Sequence, residues 1–239
     1  MNALPDIGAE ATRYVRDNAK KIIEQYADDD LPVAANTALT IFLAGSPGAG
    51  KTETTKDLLR TFKAESQMVN MIVRIDPDLI REDLPHYAGG NAHLFQEGVT
   101  VAADKIYNHC IKKNKHLIFD STLAIYDKAR QNVSKALKKN RAVFIVYVYQ
   151  DPLIAWEFTQ AREAKEGRRI TKEAFVDRLL GARETVHRIT EEFGDAVTLM
   201  VLDHNLKTDY YQWHLAVKTA DFDRLVKVPY SKEYLMNKL

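Results

Sequence analysis

A continuous run of strand length, Leu39-Thr40-Ile41-Phe42-Leu43-Ala44, passes directly into Gly45-Ser46-Pro47-Gly48-Ala49-Gly50-Lys51-Thr52. No other feature narrows the fold of this chain so far. The octapeptide matches the phosphate-binding P-loop pattern in full, and its residue types follow from the task of holding a polyphosphate. Glycines let main-chain N–H groups converge on anionic oxygens. Lys51 reaches the β- and γ-phosphates, and the hydroxyl of Thr52 ligates Mg²⁺. The helix expected next, with Glu53 in its first turn, points its positive end at the anion. Gly45, Ser46, Pro47, Gly48, Ala49, Gly50, Lys51, Thr52 and Glu53 are therefore the expected nucleotide-binding set. ATP and Mg²⁺ are the expected cofactors, with Thr52 as the metal ligand.

A continuous apolar strand suits the middle of a parallel sheet that is covered on both faces. Runs of the same type recur at Met71 to Ile75, Leu117 to Phe119, Val143 to Tyr149 and Val197 to Leu202. Helical patterns lie between them, around 91–113, 126–139, 152–165 and 171–193. The alternation predicts an α/β fold of the P-loop NTPase type, a doubly wound, mostly parallel sheet with helices on both faces. Ahead of it, Val15, Ala19, Ile22 and Tyr26 predict a helix over 9–27, ended by Asp28-Asp29-Asp30 and Pro32. The expected organisation is a helical N-terminal extension (1–37), a P-loop kinase domain (38–204) and a C-terminal tail (205–239) packed on it. The tail is polar and aromatic, with Tyr210, Tyr211 and Trp213, and its sequence does not place it.

Composition excludes several classes. With 34 Lys and Arg against 33 Asp and Glu, no global field points to nucleic acid or to an anionic membrane. The single Cys110 excludes an internal disulfide and a multi-cysteine zinc site, and its amphipathic surroundings predict a buried thiol. No apolar stretch approaches the roughly 20 residues that cross a bilayer, and residues 1–10 lack the pattern of a signal peptide. The expectation is a cytoplasmic protein that binds a small molecule, with neither nucleic acid nor membrane as partner.

A second charged element, Arg74-Ile75-Asp76-Pro77-Asp78-Leu79-Ile80-Arg81, stands at the C-terminal end of the second strand, the edge that faces the ligand crevice in such sheets. A carboxylate there can orient an acceptor hydroxyl and take its proton during attack on the γ-phosphate. The alternative role is capping of the next helix, which suits Asp76 better than Asp78. Hydrolases and switches of this fold often carry a Glu directly after a strand-end Asp, to position water. Here Asp120 is followed by Ser121 and Asp151 by Pro152, and no guanine-reading Asn-Lys-x-Asp segment occurs. Transfer to a bound acceptor is favoured.

These motifs together resemble the zeta toxin family of bacterial kinases. The match rests on the P-loop, Ile75-Asp76-Pro77-Asp78, Leu117-Ile118-Phe119-Asp120-Ser121-Thr122-Leu123, and Arg162 with Arg169-Ile170-Thr171, over about residues 39–202. The resemblance implies phosphorylation of UDP-N-acetylglucosamine, and a small helical antitoxin as partner. It also implies Asp78 as catalytic base, Lys51 and Thr52 as phosphate and Mg²⁺ ligands, and Arg162 and Arg169 as clamps on the ATP phosphates. Asp104 and Asp120 fall where family members carry substrate-contacting Glu residues, and Thr122 matches a Thr beside them. The chain departs from the pattern in having Asp for Glu at both positions. It also has Ala124 where a substrate-binding Arg often follows, a cation that would pair with an anionic acceptor.

The segment from Gln160 to Thr171 is dense in charge, and Gly167 interrupts its helical pattern, so it reads either as a hinged flap or as a solvated helix face. In a flap, Arg162 and Arg169 offset charge on the γ-phosphoryl group with paired donors, whereas Arg168 faces solvent. His86, just after the acidic element, lines the acceptor pocket or is an ordinary turn histidine. Three functions remain open at this point: a zeta-type kinase of a UDP-sugar; a kinase of another small molecule such as a nucleoside, antibiotic or dinucleotide; and a nucleotide-binding regulator without transfer activity.

Overall fold

A computed structural model describes residues 6–34, 36–66, 71–167, 169–205, 207–208, 210–226 and 230–239. The sheet order is β2-β3-β1-β4-β5-β6, built from β1 (Leu39–Ala44), β2 (Ile72–Ile75), β3 (His116–Phe119), β4 (Ala142–Tyr149), β5 (Val197–Asn205) and β6 (Tyr210–His214). The first five strands in that order run parallel, and β6 pairs antiparallel with β5. The six strands form one α/β sheet. β6 belongs to the stretch that the sequence left unplaced, and β5 runs on to Asn205 across the expected edge of the kinase domain.

Side-chain alternation along the strands divides the core in two. Phe42, Ala44, Val73, Ile75, Leu117, Phe119, Ile145 and Tyr147 point to one face. Ile41, Leu43, Ile72, Ile118, Val146 and Val148 point to the other, where α3 (Lys51–Ser66) contributes Leu58, Leu59 and Phe62. The first face lies under α5 (Gln96–Lys112), α6 (Tyr126–Leu137) and α8 (Lys172–Phe193). There Tyr107 packs against Phe42 and Phe119, and its hydroxyl donates to the Asn132 carbonyl at 2.6 Å. Cys110 is buried as expected, and burial pushes its thiol up to about 12.

The extension folds as two helices. The spacing of apolar residues predicts one, but α1 (Ile7–Asp17) and α2 (Ala19–Ala27) are separated at Asn18, whose amide and side chain both bond the Tyr14 carbonyl. A side chain that satisfies the helix end stops the propagation that periodicity implies. Both helices lie on α5. Residues 92–95 form a 3₁₀ turn ahead of α5. Late in the chain α7 (Pro152–Glu166) precedes α8, and α9 (Thr219–Leu225) and α10 (Lys232–Lys238) follow β6. Asp151 caps α7 through the amides of Leu153 and Ile154, with Pro152 at the first helical position.

Candidate active site

β1, β2 and β3 are parallel neighbours, so their C-terminal ends lie at one edge of the sheet, where the glycine loop follows β1. Gly45, with φ 128°, leaves the strand so close to β4 that a Cβ would lie 2.4 Å from the Val148 carbonyl oxygen. Gly48, with φ 74°, passes α7 so closely that a Cβ would lie 2.1 Å from the Ala155 carbonyl oxygen. Any other residue at either position would push the loop off its neighbours. Ser46, Pro47 and Ala49 complete the turn, and Gly50 (φ 90°) leads into α3. Thr52 lies in the first turn of α3, and Glu53 beside it is exposed.

Lys51 bends over the loop, and its Nζ donates to the carbonyls of Gly45 at 3.1 Å and Ser46 at 2.6 Å. Burial pulls its pKa down to about 8; Asp120 and Asp78 oppose the shift, and Arg178 and Arg162 add to it. Residues from α4, α7, α8 and the turn just past β3 are thus within electrostatic reach of one ammonium group.

The two acids after β2 take different roles. Asp76 caps α4 (Pro77–Glu82), accepting the Asp78 amide at 2.9 Å, and is buried. Its carboxyl is held above the usual range by burial first and by Asp120 next, against the pull of Arg74. Asp78 is instead partly exposed, with Arg81 Nη1 at 2.6 Å and Arg162 Nη2 at 3.7 Å. The cap and the candidate base are therefore separated, with the base one turn of chain past the strand.

Asp120 is the least accessible of the expected acceptor contacts. It is buried, and its Oδ2 accepts from Thr55 at 3.2 Å and from Arg74 Nη2 at 3.1 Å. The same Nη2 bonds Asp76 at 2.6 Å. Arg74 lies on β2 and Asp76 just past its end, while Asp120 follows β3, so one guanidinium bridges the ends of two neighbouring strands. Thr122 holds the loop from the main chain, its carbonyl accepting the Gly45 amide at 3.3 Å.

The remaining expected residues have partners of their own. Asp104, on α5, pairs with Lys128 of α6. His86 is exposed at φ 69°, and its carbonyl accepts from Asn91 at 2.9 Å. Gly167 ends α7 in the left-handed region, and a Cβ there would stand 4.0 Å from the Gly90 amide nitrogen. The end of α7 and the 86–91 loop are therefore neighbours. Arg169 is 76% exposed, with Glu163 at 3.8 Å. Arg168 lies outside the described residues.

Sequence reasoning missed Arg74, Arg81 and Arg178. Arg178, on α8, is within electrostatic reach of Asp78: desolvation and then Arg81 lower its pKa while the Asp78 carboxylate raises it. The only local signal was the placing of Arg74 and Arg81 at either end of the acidic element; Arg178 has none.

A cation at Thr52 would find few protein ligands. Among the described residues no group of three or more His, Cys, Asp or Glu side chains could hold a metal. One hydroxyl at a helix N-terminus fits Mg²⁺, which keeps most of its water and takes phosphate oxygens as ligands. Among the described residues no helix is long and apolar enough to cross a membrane.

The family model described as zeta toxin matches residues 20–215. Among solved structures, a chain of the PezAT chromosomal toxin–antitoxin system of the human pathogen Streptococcus pneumoniae aligns with a TM-score of 0.66 at 15% identity. That alignment covers 96% of this chain and 92% of the other. The AvrRxo1-ORF1:-ORF2 structure with ATP aligns with a TM-score of 0.64 at 12% identity, covering 96% of this chain and 75% of the other. No curated protein matches in sequence.

Proposed function

The chain belongs to the zeta toxin family, and from that premise we propose that it is an ATP-dependent kinase acting on a hydroxyl of a small molecule. The observation that carries the reading is the convergence on Lys51 of Asp78 from the acceptor side and Arg162 from α7. A likeness to a structure holding ATP supports ATP as donor, and the cytoplasm, which supplies ATP, is the compartment proposed with it.

In this reading the loop amides and Lys51 hold the β- and γ-phosphates at the N-terminus of α3. Thr52 would hold Mg²⁺, which when bound neutralises charge on the phosphate oxygens. Asp78 orients the acceptor hydroxyl, whose oxygen attacks the γ-phosphorus as the bond to the bridging oxygen of ADP breaks. The hydroxyl proton passes to Asp78. Arg81 fixes the carboxylate in the crevice, and Arg162, beside it, offsets charge on the transferring group. With a loose transition state the protein's contribution is positioning and charge, and little covalent work.

UDP-N-acetylglucosamine is the acceptor that the family suggests. A second reading, another small molecule, is favoured by Asp120, whose Oδ2 is engaged by Arg74 and Thr55, and by Ala124. The likeness to PezAT supports a small helical antitoxin as partner. The deciding experiment supplies γ-labelled ATP with UDP-N-acetylglucosamine, nucleosides, dinucleotides and antibiotics. Label on a hydroxyl of one of them supports the kinase. Tight ATP binding with no transfer to any of them supports the regulator.

A further inference from the structure

α8 meets the site at a residue that has no side chain. Gly181 packs on the segment between β3 and α6 so closely that a Cβ there would lie 2.6 Å from the Ala124 carbonyl oxygen. Such an approach to backbone leaves nothing flexible to give way. Ala124 belongs to the same short segment as Thr122, whose carbonyl holds the Gly45 amide, and as buried Leu123 at φ 53°. α8 therefore rests on a fixed loop that is one hydrogen bond from the phosphate cradle.

Arg178 lies three residues before Gly181, one turn earlier on the same stripe of the helix. Phe175, Val176, Leu179 and Ala182 are buried and fix the rotation of α8, which leaves Arg178 exposed. Arg81 and Arg162 flank Asp78 at 2.6 and 3.7 Å, and Lys51 and Arg178 lie within electrostatic reach of the same carboxylate. Positive charge is in excess, which suits a polyanion. Resting on the kinase reading above, we propose that Arg178 is a further ATP-phosphate ligand, and that Gly181, through its contact with Ala124, is the positioning residue that delivers it.

The test is calorimetric affinity for Mg²⁺ with the non-hydrolysable analogue AMP-PNP. Arg178→Ala is expected to weaken binding by on the order of tenfold or more, as for loss of a charge-assisted contact. Arg178→Lys should recover only part, because an ammonium lacks the forked donors. Gly181→Ala should weaken binding in the wild-type background and have no further effect once Arg178 is alanine, since a displaced helix then carries nothing to misplace. Equal effects of Gly181→Ala in both backgrounds would make the contact merely structural and overturn the positioning claim. Wild-type affinity in Arg178→Ala would overturn the ligand claim. Should Gly181→Ala not fold, amide exchange of the intact protein decides. Nucleotide is expected to slow exchange over 122–125 and around 178–181 in the wild type but not in Arg178→Ala, and no difference between the two overturns the positioning claim. A wild type that binds no AMP-PNP fails the kinase reading itself, whereas tight binding indifferent to Arg178 fails this inference alone.

Discussion

Two lysines at opposite edges of the sheet make the same bonds and do different things. Lys51 donates to the carbonyls of Gly45 and Ser46 at 3.1 and 2.6 Å. Lys115, at the start of β3, donates to the carbonyls of Asp28 and Leu31 at 2.5 and 2.9 Å. The carbonyls that Lys115 holds belong to the linker between α2 and β1. Lys115 is 1% exposed, and its own carbonyl is bonded by Arg141 at 2.6 Å. Lys51 instead holds a loop of glycines with positive φ, is partly accessible, and has Asp78 and Asp120 within electrostatic reach. A lysine capped by carbonyls is a strut where it is sealed in. It is a candidate ligand where an anion can reach it and other charges converge.

The comparison predicts opposite phenotypes. Lys51→Ala should abolish measurable ATP binding while the melting temperature stays within a few degrees of wild type. Asp78→Ala should keep ATP affinity within a few-fold yet lower transfer by roughly 10²–10⁴, the range for a positioned proton acceptor. Lys115→Ala should leave nucleotide affinity intact in folded protein but destabilise it by about 2–4 kcal/mol in urea titrations, because two carbonyls lose their donor. Loss of ATP binding by folded Lys115→Ala would break the contrast. Asp76→Ala should destabilise by about 1 kcal/mol through the lost cap, with a smaller effect on transfer than Asp78→Ala. A larger effect on transfer would reverse their roles.

The smallest effect is in pH. Free Lys51 titrates near 8 because burial disfavours its charged form. Bound phosphate favours that form and raises the pKa, so binding takes up a proton, and affinity falls as pH rises through about 8, at most tenfold per unit. Calorimetry in two buffers of different ionisation enthalpy reads the uptake directly. Its absence in wild type would place Lys51 away from the phosphates.

What the sequence made legible had local causes. β1 and the glycine loop could be read because apolar continuity and the φ demands of the turn are written in adjacent residues. The division between Asp76 and Asp78 was half legible, since a cap followed by proline is a local device and the direction of Asp78 is not. Arg178 was hidden because nothing near it in sequence marks it; its place depends on a glycine one turn later and on a loop over 50 residues earlier. The break at Asn18 was masked by periodicity, and β6 by its exposed tyrosines, which carry no alternation.

The most direct test follows the γ-phosphate from labelled ATP into a pool of cellular small molecules, with wild type and Asp78→Ala side by side. The account predicts a new labelled small molecule with wild type, and its near-absence with Asp78→Ala despite unchanged ATP affinity. A wild type that binds ATP but yields only labelled orthophosphate, or yields the same product with and without Asp78, would contradict it.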